Sequence, residues 1–359
     1  MLKVIYLRSF FSEEAVNTGR QKELDIAKGL AVIFMIWQHI LGVFEVPTYS
    51  AFEDFAVSIL GSPFAAPVFM FTMGMGITYS RKNHPSDLFS RGLHLFVIGF
   101  VLNVCRWIIP ETIRTFIAGD AFNMTALHNF FMMDILQFAA LAFIFIGIVK
   151  KLNIPSTAVI VIALICSLLG DIFLFKSDNF LIADIVGLII PTNGNVTFPF
   201  VNWIIFVVSG FYFAHLYRYL KDKKGFFFKV TPLALAISLT YIAYCFIAKK
   251  GMFVDEHSFF FMTFTGMIFN IILVIGWIGL LYLLFNQTKG PVIAFMTGLS
   301  KNINSVYVIQ WTIIGFLSTI FSISLSHFTE IILLVSILLT SYGLSFVWLT
   351  IKKSKKQLH

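Results

Sequence analysis

Apolar runs long enough to cross a lipid bilayer divide this 359-residue chain almost from end to end. They fall at about 24–44, 63–80, 92–109, 128–149, 155–175, 198–217, 230–248, 259–285, 303–323 and 329–351. A hydrocarbon core about 30 Å thick takes roughly 20 residues of helix. Hydrocarbon offers no partner to an exposed peptide group, so such runs span only as helices or closed barrels, and barrel strands are half this length. The sequence therefore predicts an all-α integral membrane protein, a bundle of about ten transmembrane helices. Hydrophobic residues make up 58% of the chain and charged residues 12%, about half the usual charged share, which excludes soluble and disordered classes.

The formal net charge of +8 raises the question of nucleic acid, but the basic residues lie in short loops between apolar runs and report orientation instead. With the N-terminus cytoplasmic, only Arg106, Arg114, Lys176, Lys249 and Lys250 of the 26 lysines and arginines stay outside. That bias predicts an N-in, C-in, multi-pass protein of the cytoplasmic (inner) membrane. The organisation expected is a cytoplasmic segment at 1–22, a transmembrane domain at 23–351 and a basic cytoplasmic tail at 352–359. No cleavable signal peptide is expected, since no long apolar core precedes Arg20. Cys105, Cys166 and Cys245 have no metal-like spacing, and no metal is expected.

The first span, LDIAKGLAVIFMIWQHILGVF, carries Asp25 and Lys28 at one mouth and His39 toward the other. A rise of about 1.5 Å per residue sets Asp25 and His39 roughly 21 Å apart. Ionisable groups cost about 2.5–3.5 kcal/mol each inside hydrocarbon on insertion scales, so they face a protein interior or a water-filled cavity. His39 is thus a functional candidate; its structural alternative is a histidine bonded to a neighbouring helix. Asp25 and Lys28, three residues apart, share one helix face as a candidate ion pair.

ELDIAKGLAVIFMIWQH resembles the opening signature of the polytopic membrane acyltransferases, the acyltransferase-3 group and the heparan-alpha-glucosaminide N-acetyltransferase-like proteins. There D-x-x-R/K-G begins the first helix, and a His or Asn follows about ten residues after the glycine. FMFTMGMGITYSRKN (69–83), SRGLHLFVIGFVLN (90–103), MDILQFAALAFIF (133–145), FPFVNWIIFVVSGFYFAHL (198–216) and LSKNINSVYVIQW (299–311) are similar to later helices of the same proteins, in order. The similarity covers roughly residues 20 to 315. This chain departs from many relatives in having Lys28 for arginine and Gln310 for histidine.

The resemblance implies transfer of an acyl group, most simply acetyl from cytoplasmic acetyl-CoA, to a hydroxyl or amine of an extracytoplasmic sugar or glycan. Such an enzyme needs an inner anion site, a passage through the bundle and a base near the acceptor. For the donor phosphates it implies Lys28 and Arg91, with Arg81 nearby and Asp25 orienting them; all four have an alternative as topology or packing residues. His39 is the implied base, taking a proton from the acceptor or forming an acyl-histidine. Asp134 would orient His39 or bind sugar hydroxyls, or else pair with Arg106. Arg106, His128, Asn129, Trp203 and Trp311 are candidate acceptor-side groups, the tryptophans by stacking on a sugar ring. Partners are the bilayer, acyl-CoA and a glycan acceptor, with no nucleic acid; nothing fixes the oligomeric state. Two rivals stay open: an ion-coupled transporter or flippase with a carboxylate path through Asp25, Asp134 and Asp184, and an acyltransferase-like scaffold without activity.

Overall fold

In a computed structural model of the chain, residues 10–46, 48–253, 259–321 and 323–357 are described, excepting the side chains of 259 and 352–357. The expectations that rest on Lys3, Arg8 and the lysines of the tail lie outside them. Helix makes up 76% of the structure. Among the described residues there is no β-strand, only isolated bridges such as Met133 to Val196.

The helices are α1 (Lys22–Val43), α2 (Ala51–Gly61), α3 (Ala66–Tyr79), α4 (Pro85–Asn103), a π-helical turn (Val104–Ile108), α5 (Ile109–Ala118), α6 (Met124–Phe130) and α7 (Ile135–Lys151). They continue as α8 (Ser156–Ile172), α9 (Phe180–Gly187), α10 (Phe200–Arg218), α11 (Lys223–Ala248), α12 (Phe264–Phe285), α13 (Pro291–Ile320) and α14 (His327–Gln357). Eight helical segments among the described residues are long and apolar enough to cross a membrane. The expected spans at 128–149 and 155–175 fall on α7 and α8, of 17 residues each. Helices of that length rise about 26 Å, the lower end of what a bilayer requires.

Helix α7 starts at Ile135, later than the apolar run suggests, because Asp134 acts as its N-cap. The Asp134 carboxylate accepts from Ile135 N at 2.7 Å, and Gln137 Oε1 accepts from Asp134 N at 3.2 Å. These bonds satisfy first-turn donors that would otherwise be orphaned. The segments 45–62 and 110–127, which lie between expected spans, also contain helix. Ser50 and Glu53 form a reciprocal capping box that starts α2.

The chain forms two compact units. One takes in 1–27, 67–99 and 132–288, the other 28–66, 100–131 and 289–359. In the first, α10 packs on α7, α8 and α12, and α11 packs along α12. Helices α3 and α10 cross with their backbones touching. A Cβ on Gly74 would overlap the Val207 carbonyl, and one on Gly210 would overlap that of Phe71. In the second unit, α13 packs on α14, α5 and the π-helical turn, with α6 against the same turn.

Polarity is distributed for an apolar solvent. Asn103, Arg106, Gln137, Asn270 and Gln310 are fully buried, whereas Leu93, Phe246 and Ile247 are among the most exposed side chains. A lipid-facing surface needs no polar cover.

Candidate active site

His39 lies on α1 in the second unit, half-buried. Its ring stacks on the Trp311 indole, centroids 4.1 Å apart and planes 30° from parallel, with Tyr307 edge-on at 5.9 Å. The Gln310 amide faces its Nδ1, with Oε1 at 3.2 Å and Nε2 at 2.9 Å. Gln310 Nε2 also donates to Tyr307 O at 3.2 Å. Tyr307, Gln310 and Trp311 reach one imidazole because positions three and four apart share a helix face. The tautomer in which Nδ1–H donates to Oε1 leaves the lone pair on Nε2, the nitrogen a general base would use; the 2.9 Å contact from Gln310 Nε2 corresponds to the opposite tautomer.

The other neighbour of Trp311 is Arg106, its guanidinium 4.7 Å from the indole centroid. Arg106 has no solvent exposure. Its Nε and Nη2 donate to Asn103 Oδ1 at 3.1 and 2.8 Å, and Asn103 Nδ2 donates to Phe130 O at 2.8 Å. The π-helical turn aims this side chain inward. Pro110 has no N–H to give the carbonyl four residues back, which belongs to Arg106. The chain bulges instead, with Ile109 N bonding to Val104 O. The Arg106 carbonyl then packs against Gly315, where a Cβ would overlap it. Such π-bulges recur at functional sites.

In the same unit, Glu330 on α14 is buried and accepts from Trp37 Nε1 at 2.5 Å and Tyr49 OH at 2.6 Å. Burial, and then the bond to Glu330, hold the Tyr49 hydroxyl well above its usual pKa, so it remains a donor. Neither Asn103 nor Glu330 was singled out in the sequence. Pro110 in an apolar run and an acid one turn into the last span are the signals that mark them.

In the first unit, Asp25 is buried and held by Arg20, whose Nη2 lies 2.7 Å from Oδ1. Glu23 accepts from Tyr217 OH and from Lys223 Nζ, the latter at 3.1 Å. Together these bonds fasten the start of α1 to the end of α10. Arg91 is exposed, with its guanidinium 4.5 Å from the Phe143 centroid, and Arg81 is exposed beyond the end of α3. Asp134 is the α7 cap described above. Trp203 is fully buried among Phe198 and Phe206 and donates to Phe260 O at 2.8 Å. Lys28 is half-buried on α1, while His128 is exposed and Asn129 half-buried on α6. The structure thus brings His39, Arg106 and Trp311 together and adds Gln310 and Asn103. Among the described residues, no three His, Cys, Asp or Glu side chains gather as metal ligands.

Helices long and apolar enough to cross a bilayer, with buried polar side chains between them, define an integral, multi-pass membrane protein. The family model described as heparan-alpha-glucosaminide N-acetyltransferase, catalytic, matches residues 20–244, more than half of the chain. The chain belongs to that family and is a membrane acyltransferase by class. The match takes in His39, Arg106 and Asp134 and ends before Gln310, Trp311 and Glu330. Comparisons with curated proteins and with solved structures give no match.

Proposed function

We propose that this protein transfers an acetyl group from cytoplasmic acetyl-CoA to a hydroxyl or amine of a sugar or glycan beyond the cytoplasmic membrane. One observation carries the reading: the His39 imidazole is held at Nδ1 by Gln310 and stacked on Trp311, inside a membrane bundle of a family named for N-acetyl transfer to a glucosaminide. His39 Nε2 takes the acceptor proton as the acceptor oxygen or nitrogen bonds to the thioester carbonyl carbon. The carbonyl pair moves onto oxygen, then returns to expel the CoA thiolate, which leaves with the proton from His39. General-base help of this kind is worth about 10²–10⁴-fold.

Arg106, carried on the Trp311 face, supplies fixed positive charge for the oxyanion. Arg106, Trp311, His128 and Asn129 are assigned to the acceptor side and Asp134 to support of the base. Lys28, Arg91 and Arg81, with Asp25 ordering the helix mouth, are assigned to the donor's phosphates. The acyltransferase domain is 23–351 in an N-in, C-in chain of ten spans. Gln310 in place of histidine makes His39 the only titratable side chain of that pair, so one residue both accepts and returns the proton.

The test supplies membranes containing the protein with CoA labelled either in its acetyl group or in its adenine. Acetyl label in the glycan or sugar fraction, without adenine label, is the expected result. Uptake of unmodified sugar with no acetyl label in any fraction would overturn the proposal in favour of transport.

A further inference from the structure

Within the first unit, the turn before α4 and the end of α7 flank an open recess of about 590 Å³ lined by Asn83, His84, Pro85, Ser86, Phe89 and the pair Lys150 and Lys151. That volume lies in the range of small-molecule sites, about 300–1,000 Å³. Its lining is cationic. Lys150 Nζ donates to Asn83 O at 2.6 Å, which fixes the ammonium at the rim. His215 at the end of α10 lies within electrostatic reach of the same lysine and of Arg218. No carboxylate among the described residues forms an ion pair with His84, Lys150, Lys151, His215 or Arg218. The nearest acid on the rim helix, Asp87, stands one turn before Arg91 and serves it at the i, i+4 spacing.

Lys150 and Lys151 stand side by side with Asp87 serving Arg91, so their mutual repulsion is one that a bound anion would relieve. The start of α4 adds to the attraction. Its first regular bond is from Leu88 N to His84 O, so the amides of Ser86 and Asp87 precede it and have no helical acceptor. Unbonded amides and the helix dipole at such an end favour phosphate. Phe89 adds an aromatic surface on which a purine can pack.

We propose that this recess is a phosphate-binding site, and that its ligand is the 3′-phosphorylated adenosine end of acyl-CoA, with the pyrophosphate left to Lys28, Arg91 and Arg81. Naming that ligand rests on the acyltransferase reading. Phospholipid headgroups present the same phosphate chemistry, and the experiment separates the two sources.

The full-length protein, in nanodiscs of phosphatidylcholine, is titrated with CoA and with pantetheine, which has the thiol arm but no phosphate. Lys150→Ala/Lys151→Ala and the single charge reversal Lys151→Glu are compared with wild type; the latter leaves the Lys150–Asn83 bond intact. CoA binding weakened about tenfold or more in both variants, with pantetheine binding unchanged, is expected. CoA affinity unchanged in both variants overturns the proposal. So does loss confined to phosphatidylglycerol retention from mixed-lipid discs, which would assign the recess to lipid. Acetyl transfer is measured alongside. Wild type binding CoA at the recess without transferring acetyl would fail the acyltransferase reading alone, whereas transfer with unaltered CoA affinity in the variants would fail the recess alone.

Discussion

Arg106 shows how a buried charge is made tolerable at the scale of one residue. Removing a guanidinium from water costs several kcal/mol unless hydrogen bonds and an aromatic face replace the lost solvent. Asn103 and Trp311 supply both, and Asn103 is itself oriented by Phe130 O. Arg106 and Trp311 could be named from the sequence, but their contact could not, because it depends on a helical bulge. Arg20, in the segment before the helix, turns back onto the Asp25 carboxylate, a contact that residue spacing along the helix does not report. Tyr49 offers a test at this scale. Its raised pKa keeps the hydroxyl protonated up to and beyond its ordinary pKa of about 10, so its bond to Glu330 contributes throughout the neutral range and is lost only as pH rises through the higher folded value. Tyr49→Phe should lower stability by about 1–2 kcal/mol, with the same drop in thermal midpoint at pH 6 and at pH 9. A drop that disappears by pH 9 would contradict this account.

Helix starts and crossings decide how those residues meet. The apolar runs located the long helices but not their ends, because hydropathy says nothing about caps. Asp134 begins α7 with Gln137, and Ser50 begins α2 with Glu53. Both pairs stand in the sequence at the capping-box spacing, so those boundaries were readable from polar residues. The π-helical turn has a local cause in Pro110, but its consequence appears only where Gly315 admits the freed carbonyl. The α3–α10 crossing makes the most direct prediction for an element. Gly210→Ala places a methyl against the Phe71 backbone and should cost at least about 1–3 kcal/mol, read as a lower unfolding midpoint in detergent. Gly343→Ala on α14, where a Cβ meets nothing within 4 Å, should leave the midpoint unchanged or raise it. Equal effects at the two sites would contradict the close crossing.

For the whole molecule, class was the most legible property, since membrane solvent permits few architectures and the apolar runs state which one is used. The family was legible from ordered motifs on several helices, each weak alone. The candidate site was partly legible: His39, Arg106 and Trp311 were named as candidates, but Gln310 appeared only as a departure and Asn103 and Glu330 not at all. Gln310 and Glu330 work through contacts between distant segments, which hydropathy and spacing within one helix do not report, and Asn103 meets Arg106 across a π-helical turn. The account's central claim is that one imidazole on α1 performs the proton transfer. Its most direct measurement is acetyl transfer from labelled acetyl-CoA in membranes carrying wild type or His39→Ala at matched levels of folded protein. A fall of at least about 10²-fold is expected; a variant that transfers acetyl at the wild-type rate would contradict it.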